Sequence, residues 1–508
     1  MTANLYTALM GAHAASDRPA VVERGGRVWT YADLDRESGR FANRLAERGV
    51  RPGHRVVVKT GKSVATLLTY LAAARAGAVF LPLNTAYTPA EVDYFVGDAE
   101  PRLLICDPSE HAALQPIARA KGAAIETLDA QGAGSWVAGI DAAPAAFAPV
   151  SLEEDATAVI LYTSGTTGRS KGAMLTVGNL ASNAATLIEY WRIAPDDRLL
   201  HALPIYHAHG LFVAVNTTLM AGARMLFHPK FDAGAVIADL PDATTMMGIP
   251  TFYTRLLALP DFGRELVAHM RLFVSGSAPL SAETHREFSA RTGHAILERY
   301  GMSETGMNTS NPYDGDRVPG SVGFPLPGIE IRIADAGDRT KEMSQGEVGM
   351  VEVRGPNVFK GYWRNPEKTA AELHADGFFT TGDLGFRDGR GYIFLVGRQK
   401  DMIISGGLNV YPAEVEALID ELPGVAESAV IGCPHPDFGE AVTAVVVARK
   451  EVALGEDAVL AALSEKLARF KQPKRVLFAD ELPRNAMGKV QKKALREKYR
   501  SLYVSNPE

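Results

Sequence analysis

The sequence predicts an α/β protein: a large N-terminal domain of layered α/β sheets over residues 1–399, then a small α+β domain over 400–508. Three observations carry this. Strand-like apolar runs alternate with helical patterns through the first 300 or so residues, as layered α/β folds require. Composition then shifts toward Gly and Pro, with short strands, between about 320 and 397, which reads as a β-rich subdomain. From Lys400 onward the pattern becomes self-contained, and roughly 100 residues suffice for a small domain. A chain of 508 residues is too long for one ordinary domain.

The elements follow in order. VATLLTYLAAARAGAVFLPL, from Val64 to Leu83, is the most apolar long stretch, but Arg75 and Gly77 interrupt it. It reads as a buried helix, a turn and a strand, not a membrane span. ATAVILYT (156–163) is a strand leading into a Gly/Ser/Thr loop. MRLFVSG (270–276) is another, followed by a helix that Ser281 opens with Glu283 in its first turn. HAILERY (294–300) precedes a Gly turn, and GMVEVRG and GYIFLVG are strands of the β-rich section. In the last domain Pro412 opens a helix whose Val415, Leu418, Ile419 and Leu422 share a face. Strands ESAVIGCP and AVTAVVVAR, a helix carrying Leu460, Leu463, Leu467 and Phe470, and a strand RVLFAD complete it.

Lys+Arg is 53 against 59 Asp+Glu, a formal charge of −6, with 46% hydrophobic and 22% charged residues. This is an ordinary folded composition, and it lacks the basic footprint of a nucleic-acid binder. An anionic ligand would need a local site. Cys106 and Cys433 form no CxxC, which argues against a disulfide framework or a cysteine zinc site and fits a reducing compartment. With no secretory signal at the N-terminus, a cytoplasmic protein is expected.

The strongest local signal is Tyr162-Thr163-Ser164-Gly165-Thr166-Thr167-Gly168-Arg169-Ser170-Lys171-Gly172, directly after a buried strand. Glycines let backbone approach an anion, hydroxyls donate hydrogen bonds, and Lys171 adds charge. It is not a Walker A loop. That motif would need a glycine immediately before the lysine and a serine or threonine immediately after it, where this chain has Ser170 and Gly172.

YTSGTTGRSKG resembles the phosphate loop of the adenylate-forming superfamily of acyl-CoA synthetases, adenylation domains and beetle luciferases. Five further segments agree in family order: Ser275–Leu280 with the adenine wall, Tyr300-Gly301-Met302-Ser303-Glu304-Thr305 with YGxTE, Thr381-Gly382-Asp383 with TGD, Gly397-Arg398-Gln399-Lys400-Asp401 with the hinge, and Pro483–Lys489 with PRxxxGK. The resemblance implies a two-step reaction. A carboxylate attacks the α-phosphate of ATP to give acyl-AMP and pyrophosphate; a thiol then displaces AMP. It implies ATP and CoA as co-substrates and Mg²⁺ as cofactor. Thr163, Ser164, Gly165, Thr166, Thr167, Gly168 and Lys171 would clamp the phosphates. Ser277, Ala278, Pro279 and the run Glu298, Arg299, Tyr300, Gly301, Met302, Ser303 would line the nucleotide. Asp383 would hold the ribose and Arg398 the ribose or α-phosphate. Glu304 with Thr163 would hold Mg²⁺, and Lys489 would be the catalytic cation. The small domain would pivot at Lys400 between half-reactions.

The acid is read from different residues. Alternation in HAILERY puts Ala295, Leu297 and Arg299 on one side of a strand, so a charge ends an apolar face. Such an arginine needs a partner. It either grips a second carboxylate on the substrate through two parallel hydrogen bonds or pairs with a nearby Asp or Glu. His207 and Ser277 are expected beside the acid, and Arg286 is a second choice for the distal carboxylate. The HxH of His207 and His209 lacks a third ligand, so it is a poor metal site. ERYGMSE…MNTSNPYDGDRVPG together with PIYHAHGLF resembles malonyl-CoA synthetases, which implies malonate as substrate and methylmalonate as a second one. The rival readings are a ligase for a short-chain or aryl monocarboxylate, an enzyme loading a carrier-protein thiol, and an inactive nucleotide-binding regulator. Partners are therefore expected to be small molecules, without nucleic acid or membrane. A protein acyltransferase acting on Lys489 is a further expected partner, and monomer and homodimer both stay open.

Overall fold

The computed structural model describes residues 2–163, 170–449, 454–464, 466–485 and 488–503. The predicted α/β class holds. One sheet has seven strands. Its centre is parallel: Arg55–Lys59 lies between Val79–Pro82 and Leu103–Cys106. Val56, Val57 and Val58 form a continuous apolar run because both faces of this sheet are covered. Thr157–Thr163 joins Val79–Pro82 in parallel, Lys171–Thr176 returns antiparallel to it, and Gly361–Tyr362 closes the edge. The expected helix, turn and strand over 64–83 appear as Val64–Arg75, Gly77 at φ +68° and Val79–Pro82. Ser63 caps the helix by accepting from the Thr66 N–H at 3.2 Å. No helix among the described residues is long and apolar enough to cross a membrane.

A second sheet runs through thirteen strands. Arg224–Phe227, Arg198–His201, Thr245–Gly248, Leu272–Ser275 and Leu297–Met302 pair in parallel in that spatial order. Beyond Leu297–Met302 the pairing switches to antiparallel with Gly306–Ser310, and it stays antiparallel out to Glu330–Ala334. The stretch from 320 to 397 is thus β-rich as expected, but it is not a separate layer. Its Ile331, Ile333, Val351, Val353 and Ile393 belong to the same buried cluster as the parallel strands, so shared apolar burial welds the two. The switch of strand direction places a crevice at the carboxyl ends of the parallel strands, where open α/β sheets bind ligands.

Beyond the Gln399–Asp401 turn a five-stranded sheet has its own cores. The predicted helix Pro412–Asp420 packs on the hairpin Val425–His435 and Gly439–Ala448, and Arg475–Phe478 adds in parallel. The next helix is shorter than the sequence pattern suggests. It spans Glu456–Ser464, and Leu467 and Phe470 lie past its end. Ser464 Oγ turns back to donate to the Ala461 carbonyl there, a local bond that competes with helix continuation. Cys106 and Cys433 are both free and buried.

Candidate active site

Two strands and one helix frame the phosphate loop. Ser164, Gly165, Thr166, Thr167 and Gly168 lie outside the described residues, but both of the loop's flanks are held by the helix Pro89–Ala99. The Tyr162 hydroxyl donates to Asp98, and the Tyr94 hydroxyl donates to the Ser170 carbonyl at 2.7 Å. Lys171 Nζ sits 3.4 Å from Glu372 Oε2 and 4.1 Å above the Tyr362 ring. Burial lowers the Lys171 pKa, and the Glu372 charge pulls it back up.

Thr163 Oγ1 donates to Glu304 Oε1 at 3.1 Å, so the structure brings together the two residues expected at a metal. It adds two that no sequence motif flagged. The Tyr362 hydroxyl lies 2.6 Å from Glu372 Oε2 and 3.2 Å from Glu304 Oε1. One phenolic proton cannot serve both, and the shorter contact assigns it to Glu372. Burial raises the Glu304 pKa, while Thr163 and Lys171 favour its charged form. This oxygen-rich set is hard-ligand chemistry.

The nucleotide-side residues form a chain of contacts. Tyr300 OH donates to Asp383 Oδ2 at 2.6 Å, and Arg398 Nε meets Asp383 Oδ1 at 2.9 Å. Asp383 and Arg398 are cross-strand partners, which sets this pairing. Each Asp383 oxygen keeps a lone pair for a further donor. Ser277 adopts φ +71°, an unusual backbone for a non-glycine residue, where the chain turns from Leu272–Ser275 into Ala278 and Pro279. The Leu280 N–H donates to Glu298 Oε1 at 3.0 Å and ties this turn to the next strand. Glu298 Oε2 has no partner, and burial pushes its carboxyl up to about 8. Gly301 is confined to glycine, since a Cβ there would meet the Gly306 carbonyl oxygen at 2.0 Å. Met302 Sδ lies 3.9 Å from the Tyr300 hydroxyl, and Ser303 lines a small cavity with Ala208, Phe212 and Gly306.

Arg299 is 3% exposed, and its Nε and Nη2 have no hydrogen-bond partner. No carboxylate among the described residues forms a hydrogen-bonded ion pair with these two nitrogens, and burial pushes the Arg299 pKa down to about 9. The guanidinium lies on the backbone of Gly276: a Cβ there would be 2.3 Å from Arg299 Cζ. His207 and His209 feel its charge. Burial first, then Arg299, lowers His207 to about 4 and holds His209 well below the usual imidazole range. His209 Nδ1 is 3.2 Å from Ser277 Oγ, and its buried Nε2 has no partner. His207 Nδ1 instead accepts from the His209 N–H at 3.4 Å. So His209, weighed in the sequence only as half of a poor metal pair, has a buried ring nitrogen without a partner among the described residues. Its signal was the HxH spacing itself. Arg286 is corrected: it is exposed on the outer face of its helix, and its guanidinium pairs with Glu421 at 3.4 Å, away from the acid.

Lys489 sits in a turn closed by its own N–H to Asn485 Oδ1 at 2.9 Å and by the Asn485 N–H to its carbonyl at 3.0 Å. The preceding Gly488 lies against Ile249 and Thr251 of the large domain. The Lys489 side chain is exposed, yet protein groups crowd around it. Desolvation, then Arg398, brings its pKa down to about 8, with Asp383 opposing. Lys400 lies in the same field and is also lowered, by burial and then by Arg398.

Comparisons with known proteins place these features in a family. The AMP-binding enzyme family matches residues 10–363, and its C-terminal domain matches 414–489. A feruloyl-CoA synthase from Amycolatopsis sp is 38% identical over 95% of this chain and 96% of its own. A mitochondrial malonate–CoA ligase from Bos taurus is 34% identical over 97% of this chain and 89% of its own. MatB from Rhodopseudomonas palustris, solved with ATP bound, is 57% identical, covers 99% of this chain and 100% of that one, and superposes with a TM-score of 0.97. Its apo form superposes at 0.86.

Proposed function

The chain belongs to the AMP-binding enzymes, AMP-forming acid–thiol ligases, and we propose that it joins malonate to CoA, with methylmalonate as a second substrate. The relatives' names point to different acids, so overall identity does not choose among them. The observation that carries the reading is Arg299, a buried guanidinium whose Nε and Nη2 have no hydrogen-bond partner among the described residues, although the neighbouring Glu298 acts on its charge through space. An aromatic or aliphatic monoacid would leave those nitrogens without an acceptor. A second substrate carboxylate pairs with it through charge-assisted hydrogen bonds, each worth about 1.5–3 kcal/mol. His209 Nε2 is a second group free to bind the acid, and it is neutral at pH 7.

The chemistry follows from position. In the first step one carboxylate oxygen of the acid forms a bond to the α-phosphorus of ATP, and the bond to pyrophosphate breaks. In the second, the CoA thiol forms the thioester, its proton leaves, and AMP departs. Neither step needs a protein nucleophile, so holding reactants together and neutralising charge do the work. Thr163, Lys171 and the loop from Ser164 to Gly168 hold the phosphates, and Tyr300 and Asp383 hold adenine and ribose. Arg398 and Lys489 supply positive charge where carboxylate meets phosphate. Glu304 and Thr163 fit a magnesium ion, which would supply charge neutralisation on the phosphates. Because no group of three or more His, Cys, Asp or Glu among the described residues could hold a metal, most of its ligands would be phosphate and water oxygens. The small domain, 400–508, pivots at Lys400 between the two steps, and acylation of Lys489 by a protein acyltransferase would silence the first.

The test is thioester formation from malonate, methylmalonate, succinate, acetate, butyrate and ferulate. Malonate is expected to lead the monoacids by up to about 10⁴ in kcat/KM, the scale on which polar sites reject substrates lacking the expected group. A panel led by a monoacid overturns the reading.

A further inference from the structure

Behind the acid site lies a buried amine that the chemistry above does not use. Lys62, just before the helix Val64–Arg75, is buried without a carboxylate partner among the described residues. Its Nζ lies 2.6 Å from His201 Nδ1, 2.8 Å from the His201 carbonyl and 4.3 Å from the centre of the Phe227 ring. Burying an amine this way is costly, and burial holds its pKa well below the lysine range. An apolar side chain of similar length would fill the same space more cheaply.

The hydrogen bonds run in one direction. His201 Nε2 lies 2.8 Å from the Gly210 carbonyl. A carbonyl only accepts, so Nε2 carries the ring proton, and Nδ1 must accept from Lys62. Gly210 is the second residue of a π-helical segment, His209–Val215, a geometry that often marks functional sites. It packs closely on the preceding turn, where only a glycine fits: a Cβ on it would meet the Pro204 carbonyl oxygen at 1.9 Å. The residue before it is His209, whose ring faces Ser277 and feels Arg299.

We infer that Lys62 is a positioning residue for the acid: acting through His201, it fixes the Gly210 peptide and so the aim of His209 beside Arg299. The inference rests on the acid-site reading above. Three variants test it: Lys62→Met, His201→Phe, and His201→Gln, whose amide nitrogen can still reach the Gly210 carbonyl. KM is measured for ATP and for the wild type's best acid. The two disconnecting variants are expected to raise the acid KM roughly tenfold, the worth of one charge-assisted hydrogen bond, with ATP KM and kcat changed by less than about threefold. His201→Gln is expected to recover most of the loss. Acid and ATP KM rising together, no change in either, or a Gln variant no better than Phe would overturn the inference. If Lys62→Met does not fold, Lys62→Leu takes its place, with the same expected outcome. Wild-type preference for a monoacid would sink the diacid reading separately, while the split between acid and ATP KM still decides the role of Lys62.

Discussion

A guanidinium on top of a glycine leaves no room for a side chain, and this makes Gly276 a lever on the acid. In Gly276→Ala the new methyl would lie 2.3 Å from Arg299 Cζ, and the guanidinium must move. A displacement of about 1 Å in a positioning group can cost on the order of 10² in rate. Malonate kcat/KM is therefore expected to fall about 100-fold, with butyrate changed by less than about threefold. Equal losses for both acids would mean that Arg299 does not read the second carboxylate. Arg299 was legible in the sequence because a charge ending an apolar strand demands a partner. Glu372 and Tyr362 were not. They belong to no motif, and only the docking of Gly361–Tyr362 and Pro366–Glu372 onto Lys171–Thr176 brings them to Lys171 and Glu304. Arg286 misled for the complementary reason: the helix was read correctly, but sequence did not show which of its faces looks at the small domain.

At the scale of elements, strands and caps were the legible part, since Ser281, Pro412 and the apolar runs act locally. What lay beyond reach was pairing between distant segments, such as the merger of the 320–397 strands with the large sheet. Element packing also creates a testable acid. Asp420, at the end of Pro412–Asp420, accepts from Ser428 Oγ at 2.7 Å, yet burial first and the nearby charges of Glu416 and Glu283 push its carboxyl up to about 7. The native state therefore holds a proton that the unfolded chain releases at ordinary aspartate pH. Between those two values the native state binds more protons, so stability falls as pH rises through the window and the penalty is complete above about 7. Asp420→Asn is expected to raise stability at pH 8 by about 1–2 kcal/mol and to matter less at pH 5.5. Thermal melts of both proteins at the two pH values check it; a gain no larger at pH 8 than at 5.5 would show that Asp420 is charged throughout.

The chain has a large N-terminal domain and a small C-terminal one, and in the proposed cycle their relative placement decides which step can run. Arg449 pairs with Glu283 at 2.9 Å and Arg286 with Glu421 at 3.4 Å across the divide. Lys489 stands in the field of Arg398 and Asp383, and the chain superposes better on MatB with ATP bound than on its apo form. In the proposed cycle this is the arrangement suited to the first step. In the proposed role Lys489 acts as a cation, and an ammonium held near pH 8 is charged below that value and neutral above it. Acyl-AMP formation, read as kcat/KM by ATP–pyrophosphate exchange, is thus expected to decline as pH rises through about 8. Lys489→Ala should remove that alkaline limb together with at least about 10²-fold of the exchange rate, the scale of losing one charge aimed at a transition state. Thioester formation from preformed acyl-AMP involves no charge building on the α-phosphate from an incoming carboxylate, so the same variant should keep it within about threefold. Parallel loss of both half-reactions would place Lys489 in the thiol step as well, and the division of labour between the two bodies would have to be redrawn.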